Sequence, residues 1–393
     1  MKRWTPTNII CILVLLVLLA GGISMLRGSA VHPPEPPPAG DAPIIDRIRD
    51  FENWMDNSKN YMLGRQKFLE LCAAYRRATF QTQTDNVVLL NNGCLTNLVE
   101  PADSATARAK ADSAIALGKA TEEAGIPFLY VQVPQKVCKY EDQMPPGQMS
   151  HINEILDTQL SLLQQAGIET FDLREALHRD GLSHYDMYFR TDHHWKMSAG
   201  LWAAGALAEE LNARYGFGLS TKHLTEDDYD TVTMKKWYLG SWGREVTAGY
   251  ISPDDFTYYV PEFPTEFRVE HPDKNLDITG DFYETMYDDE MLHKYDLYGQ
   301  STYESILCGN RPLTKITNLQ NPDGLKILLI HDSYSTSVMP FLAQSCGEIH
   351  MIDVRPWAGN YEGDVNAYRD EIQPDIVIVM LCSPEFVDHS LYQ

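Results

Sequence analysis

The sequence predicts an α/β fold built on a parallel β-sheet, and three features carry that prediction. Segments of helical and strand character alternate between residues 104 and 173, at the spacing of parallel βα units. Two later runs, Leu325–Ile330 and Pro374–Leu381, are apolar at nearly every position, as strands covered on both faces of a parallel sheet are. The chain has 393 residues, 44% of them hydrophobic, which suffices for one large domain or two smaller ones.

The N-terminus, Met1-Lys2-Arg3, precedes an apolar run from Ile9 to about Leu26 that is long enough to span a bilayer. Basic residues before it and an acidic chain after it put the N-terminus in the cytoplasm and the remainder outside. Gly28-Ser29-Ala30 also offers a signal-peptidase site, so residues 1–31 read either as a retained transmembrane anchor or as a cleaved secretory signal. The expected address is a bacterial cell membrane, single-pass with the globular part extracytoplasmic, or secretion if the signal is cut. Residues 32–43, rich in proline, form a semi-rigid spacer of polyproline character. The globular domain is expected over 44–393.

Apolar residues at helical spacing run from Ile44 to about Phe80, and two short strands flank an Asn-Asn-Gly turn between Asn86 and Thr96. An Ala-rich helix spans about 104–124 and ends at Gly125. A buried strand over 126–134, a polar loop over 136–148, a helix over 151–165 and a strand over 168–173 follow. The next helix is expected over about 198–215, with Ser198 as its N-cap. Residues 219–303 lack a helical period and read as an irregular, β-leaning insertion. Its aromatics (Trp237, Tyr238, Trp242, Tyr258, Tyr259, Tyr298) suit either a small β core or stacking on sugar rings. The tail returns to α/β alternation, with a helix expected from Ser335 to Cys346 and a strand over 348–354.

A net charge of −23 and a pI of about 4.8, with no Lys/Arg-rich run, argue against nucleic acid as a partner. Six cysteines follow the N-terminal segment, without C-x-x-C or Cys/His zinc spacing. They are too sparse to be the scaffold of a chain this long, and no cofactor motif is evident.

Two stretches carry chemistry. In Thr191-Asp192-His193-His194-Trp195, Asp192 and His194 stand two apart, so in an extended or irregular segment both side chains reach one site. Ser333, in His331-Asp332-Ser333-Tyr334, follows a strand end, where ligands bind in open α/β sheets. A carboxylate orienting an imidazole that deprotonates a hydroxyl is the arrangement of a serine nucleophile. A helix opening at Ser333 would help to hold an oxyanion. A serine there also suits plain N-capping, and Asp332, an oxyanion or substrate-binding candidate, equally suits a cap or a brace of the loop. Asp-His-His also suits a metal such as Mn²⁺, given more ligands on earlier strand ends, where only Asp172 is available.

The Thr-Asp-His-His-Trp segment, taken with Leu328-Leu329-Ile330-His331-Asp332-Ser333-Tyr334-Ser335, Pro340–Ala343 and Ile352–Arg355, resembles the DHHW family. That family is similar to the SGNH-hydrolase-like domains of alginate O-acetylation proteins of the AlgX and AlgJ types. The resemblance runs from about residue 44 to the C-terminus and is weakest in the insertion. It implies a three-layer α/β/α SGNH-like sheet, with Ser333 as nucleophile, His194 as base and Asp192 as its orienting partner, and no metal. It implies O-acetyl transfer to a cell-surface or exported polysaccharide, with an integral-membrane acyltransferase as partner. A carbohydrate esterase and a non-catalytic glycan-binding scaffold are the alternatives. His331 stands where the family often has Lys. The oxyanion-hole residues of ordinary SGNH enzymes have no sure counterparts; Gly299 is a candidate for one, and Arg355 either binds substrate or pairs with Asp353.

Overall fold

The computed structural model describes residues 15–16, 19–23, 64–101, 104–353, 355, 357 and 364–382. The proline-rich spacer and most of the expected membrane segment lie outside these residues. Among the described residues no helix is long and apolar enough to cross a membrane. The chain divides into two units, 1–80 and 81–393. In the first, helix α1 (Arg65–Ala78) is closed by Thr79, whose hydroxyl bonds the carbonyls of Tyr75 and Arg76.

The second unit opens with a three-stranded antiparallel sheet, β1 (Gln83–Thr84), β2 (Val87–Leu89) and β3 (Leu95–Asn97). Helix α2 (Ser104–Glu123), strand β4 (Phe128–Gln132), helix α3 (Ile152–Gln165) and strand β5 (Thr170–Asp172) then alternate as expected, and helix α4 (Leu173–Arg179), which the sequence reading did not include, precedes helix α5 (Met197–Tyr215). After a hairpin of β6 (Tyr229–Tyr238) and β7 (Asp254–Pro261), which brackets helix α6 (Ser241–Val246), come β8 (Phe267–His271), β9 (Leu276–Gly280), β10 (Leu313–Asn318), β11 (Lys326–His331), β12 (Glu348–Asp353) and β13 (Ile376–Leu381).

The main sheet has the order β5-β4-β13-β11-β12-β10-β8-β9. The first five strands are parallel, and β10, β8 and β9 continue the sheet antiparallel. Alternate residues of the parallel strands enter two separate cores, as a period of two requires. Leu129, Val131, Ile327, Leu329, Ile378 and Met380 pack on the α5 side. Tyr130, Leu328, Ile330, Val377, Val379 and Leu381 pack with residues of α2 and α3. The result is three layers, helix on sheet on helix.

Three expectations are corrected. The insertion at 219–303 is not set apart: β8 and β9 extend the main sheet. Tyr238, Tyr258 and Tyr259 are buried in the same core as α5. Ser198 does not cap α5, which starts a residue earlier at Met197 with Lys196 in the N-cap position. The single helix expected over 335–346 is two short pieces, a 3₁₀ helix at Ser333–Ser337 and an α-helical turn at Met339–Leu342. Pro340 explains the break, having no N–H to continue the ladder.

Close packing of α5 on the 3₁₀ helix depends on one glycine. A Cβ at Gly200 would lie 2.1 Å from the carbonyl oxygen of Ser337. That approach fixes the turn carrying Ser333 just past the C-terminal end of β11, between β12 and β13.

Candidate active site

The Asp192 motif is a closed loop, not an extended strand. Tyr188 and Trp195 form an antiparallel bridge, the Phe189 N–H bonds the His194 carbonyl at 3.3 Å and the Lys196 N–H bonds the Met187 carbonyl at 2.7 Å. Inside the loop, Asp192 Oδ1 accepts the His194 backbone N–H at 2.9 Å. An Asx-type turn, not strand alternation, thus brings carboxylate and imidazole together. The same oxygen lies 2.5 Å from His194 Nδ1, and His194 Nε2 lies 2.7 Å from Ser333 Oγ. An ionised carboxylate only accepts, so Nδ1 carries the hydrogen and Nε2 is left to accept the Ser333 hydroxyl proton. His194 and Ser333 are 9% and 8% exposed, shielded yet within reach of solvent.

The loop is held from several elements. Asp192 Oδ2 accepts the Ser241 backbone N–H at the start of α6. Asp254, on β7, accepts from the Thr191 N–H and hydroxyl, each at 2.8 Å, and from Arg190 Nε at 2.9 Å. Trp195 Nε1 donates to the Tyr334 carbonyl at 3.0 Å, and the Tyr334 hydroxyl donates to the His193 carbonyl at 2.5 Å. These two bonds tie the histidine loop directly to the serine turn.

Lys136, from the loop after β4, is 2% exposed and donates its ammonium protons to the carbonyls of Phe189 and Asp192, the latter at 2.9 Å. Burial lowers its pKa to about 8. Burial works against the Asp192 charge, but His193 and His194 beside it and the hydrogen bonds it accepts hold its carboxyl well below the usual range. Tyr303 covers the other face of His194, with ring centroids 4.0 Å apart.

Asp332 braces the serine turn. Its carboxylate accepts the Tyr334 N–H at 3.0 Å and the Cys382 N–H at 2.6 Å, joining the ends of β11 and β13. Burial raises its pKa. His331 turns its Nδ1 to the Asp332 carbonyl at 2.7 Å, and burial lowers its pKa. Arg355 pairs with Asp353 at 2.5 Å and also lines the cavities at Ser333, so both expected roles are open to it. Gly299 does not join the site. Its N–H is given to Asp296 at 2.8 Å, and it lines neither cavity at Ser333.

Two cavities open at Ser333. One, of about 240 Å³, is lined by residues including Asn97, Val99, Ile152, Trp242, Tyr334 and Cys382. The other, of about 210 Å³, is lined by residues including His194, Arg244, Ser301, Glu304, Gly309 and Asn310. Lys136, Tyr303, Ser241 and Asn310 are the site residues the sequence did not single out.

Residues 95–237 match the family model of the SGNH hydrolase-like domain of the acetyltransferase AlgX, and residues 173–352 match the DHHW protein model. The chain is thus similar to both families over those residues. Asp192 and His194 fall in the stretch common to the two matches, and Ser333 falls in the DHHW match alone. Bacillus cereus PatB1 is similar in structure, with a TM-score of 0.63 at 18% identity, over 79% of this chain and 98% of PatB1. The same protein with a sulfonyl adduct gives 0.62 at 16%, over 78% of this chain and all of PatB1. A DHHW family protein from Eubacterium siraeum gives 0.56 at 21%, over 78% of this chain and 93% of its own. At these identities the likeness is one of fold. No curated protein matches the chain in sequence.

The donor atoms are committed to one another rather than left free for a metal ion. Asp192, His193 and His194 each offer an atom within 4.8 Å of the others. However, both His194 nitrogens are engaged, by Asp192 and Ser333, and His193 Nδ1 lies 2.9 Å from Ser241 Oγ. Asp172, the one further ligand expected, is committed to Arg174, capping α4 through its backbone N–H and pairing with its guanidinium at 2.7 Å.

Proposed function

We propose that this protein is a membrane-anchored, extracytoplasmic O-acetyltransferase that acts on a cell-surface or exported polysaccharide through an acetyl-Ser333 intermediate. The observation that carries the reading is the unbroken hydrogen-bond chain from Asp192 through His194 to Ser333. In the first half-reaction Ser333 Oγ attacks the acetyl carbonyl carbon while His194 Nε2 takes the hydroxyl proton. The tetrahedral intermediate collapses, the donor's C–O bond breaks, and His194 returns the proton to the leaving oxygen. In the second half a glycan hydroxyl gives its proton to His194 and attacks the acyl carbon, the bond to Ser333 Oγ breaks, and His194 returns the proton to that oxygen. Asp192 keeps the imidazole in the tautomer both halves need and stabilises its transient positive charge. The AlgX-type match supports acetyl as the group moved, and an outward supply of it implies an integral-membrane acyltransferase partner. The anchor rests on the apolar run from Ile9 to about Leu26.

The test follows release of p-nitrophenol from p-nitrophenyl acetate by the full-length chain, by Ser333→Ala, and by each with EDTA. Activity lost in the variant and indifferent to EDTA is the expected result. A sulfonyl fluoride should also add one sulfonyl group to Ser333, with loss of fluoride, and stop turnover. Turnover undiminished in Ser333→Ala would overturn the serine mechanism. Adding oligosaccharides then separates acetyl transfer from hydrolysis, the esterase alternative.

A further inference from the structure

The two cavities meet at the reacting atom and differ in what else they touch. Ser333, His193 and Arg355 line both. His194 lines only the polar one, whereas Trp242 and Tyr334 line only the other. This asymmetry has a chemical consequence, since one imidazole nitrogen must reach both alcohols of the reaction. The departing oxygen takes its proton from His194 Nε2, and the incoming hydroxyl gives its proton to the same atom. Both must therefore occupy the cavity that His194 faces. The acyl chain, which exchanges no proton, is left the other side of Ser333.

The linings agree with that division. On the side without His194, the indole of Trp242, the ring of Tyr334, Val99 and Ile152 present carbon to a guest, beside the polar Asn97, Gln135 and Asp332. On the His194 side, Arg244, Ser301, Glu304 and Asn310 present hydrogen-bonding groups, as a hydroxyl-rich guest requires. The backbone there is also forced. Leu307, Cys308 and Gly309 have φ of 52°, 54° and 75°, three successive left-handed residues of which only the last is glycine. Such strain persists only where the surroundings hold it, and it concentrates at binding and catalytic sites. Here the Leu307 N–H bonds the Met286 carbonyl at 2.9 Å, and Arg311 Nε bonds the Cys308 carbonyl at 2.9 Å. The strained turn delivers Asn310 to the wall of the polar cavity.

Building on the reading of Ser333 as nucleophile, we propose that the cavity at Trp242 is the acyl subsite and the cavity at Asn310 and Glu304 the alcohol subsite. The alcohol subsite receives the leaving alcohol and the acceptor hydroxyl in turn. Trp242 then sets the acyl-chain length the enzyme accepts, and Asn310 the bulk of the alcohol.

The experiment measures kcat/KM of the full-length chain on four esters: the acetates and hexanoates of p-nitrophenol and 4-methylumbelliferone. Trp242→Ala should raise the hexanoyl-to-acetyl ratio by about ten-fold or more and leave the methylumbelliferyl-to-nitrophenyl ratio within about two-fold. Asn310→Trp should lower the methylumbelliferyl-to-nitrophenyl ratio by about ten-fold and leave the acyl ratio nearly unchanged. Asn310→Ala, a milder change, keeps the second arm readable if the tryptophan unfolds the turn; it should raise the same alcohol ratio. Both variants moving both ratios together, or Trp242→Ala moving only the alcohol ratio, would overturn the assignment. Ser333→Ala is the separate control: esterase activity that survives it counts against the serine mechanism itself, whatever the ratios do.

Discussion

Tyr303 lies flat on His194, with planes 17° apart, while its hydroxyl donates to the Ser333 carbonyl and lies within bonding reach of Ser337 Oγ, each at 3.1 Å. One side chain therefore sets the plane of the imidazole and the backbone of the serine it serves. Tyr303→Phe keeps the stack and loses the hydroxyl contacts. It should cost about 1–2 kcal/mol of stability and leave ester turnover within about ten-fold of wild type. Tyr303→Ala removes a buried ring, should cost about 3–5 kcal/mol, and should reduce turnover about a hundred-fold. Urea unfolding and steady-state kinetics on both variants read the two effects. Equal turnover in the Phe and Ala variants would deny the ring any positioning role.

Asp192 is held by the absence of a side chain opposite it. A Cβ at Gly240 would stand 2.2 Å from Asp192 Cβ and 2.3 Å from Oδ2, although the Gly240 backbone, at φ −67°, suits any residue. Gly240→Ala should push the carboxylate off His194 and lower turnover about a hundred-fold, with a stability loss of about 1–3 kcal/mol. Gly205→Ala is the contrast. It lies inside α5, and its nearest contact would be 3.6 Å, so it should be neutral or slightly stabilising with turnover unchanged. Similar kinetics in the two alanine variants would refute the steric account.

The three hydrogen-bonded residues were legible as separate parts, but the meeting of Ser333 with His194, 139 residues away, was not. Asp192 and His194 sit in one loop, and Ser333 follows an apolar strand whose burial pattern places its end. Lys136, Ser241 and Tyr303 were not legible, because each acts on a backbone atom, carboxylate or ring brought close only by folding. Gly299 misled for a related reason. A glycine in a polar loop resembles an oxyanion donor until its N–H is seen to belong to Asp296, three residues earlier. The antiparallel extension of the sheet was hidden in strands such as Phe267–His271, whose polar alternation does not announce membership in a sheet otherwise built from apolar runs.

Asp192→Asn should keep the Asx turn but change the chemistry. The amide oxygen can still accept one bond, yet the carboxylate charge that balances a protonated His194 is gone. If the amide nitrogen faces Nδ1, the imidazole is forced into the wrong tautomer. Turnover should fall about 10³–10⁴-fold with the far-ultraviolet circular dichroism unchanged. A loss under ten-fold in a folded variant would demote Asp192 from orienting partner to loop brace.

Lys136 gives the fold a signature at alkaline pH. Its folded pKa, lowered by burial to about 8, lies below the ordinary 10.5 of the unfolded chain. Below pH 8 both states carry the proton, and the cost of burying the charge is constant. Between pH 8 and 10.5 only the unfolded chain holds it, so the unfolding free energy contributed by this group rises with pH, by about 3 kcal/mol across the window. Lys136→Met strands the carbonyls of Phe189 and Asp192, a cost of about 1–3 kcal/mol per group that does not vary with pH. The stability gap between wild type and Lys136→Met should therefore widen from pH 7.5 to 10, measured by urea unfolding at each pH. Taking the difference cancels the groups in that range that do not sense Lys136; Cys94, whose thiolate interacts with the ammonium, is replaced by alanine in both proteins. A gap that stays flat would mean that Lys136 keeps its proton throughout, balanced by charges such as Asp192 and Asp254, and that its ammonium is a permanent positive pole behind the histidine loop.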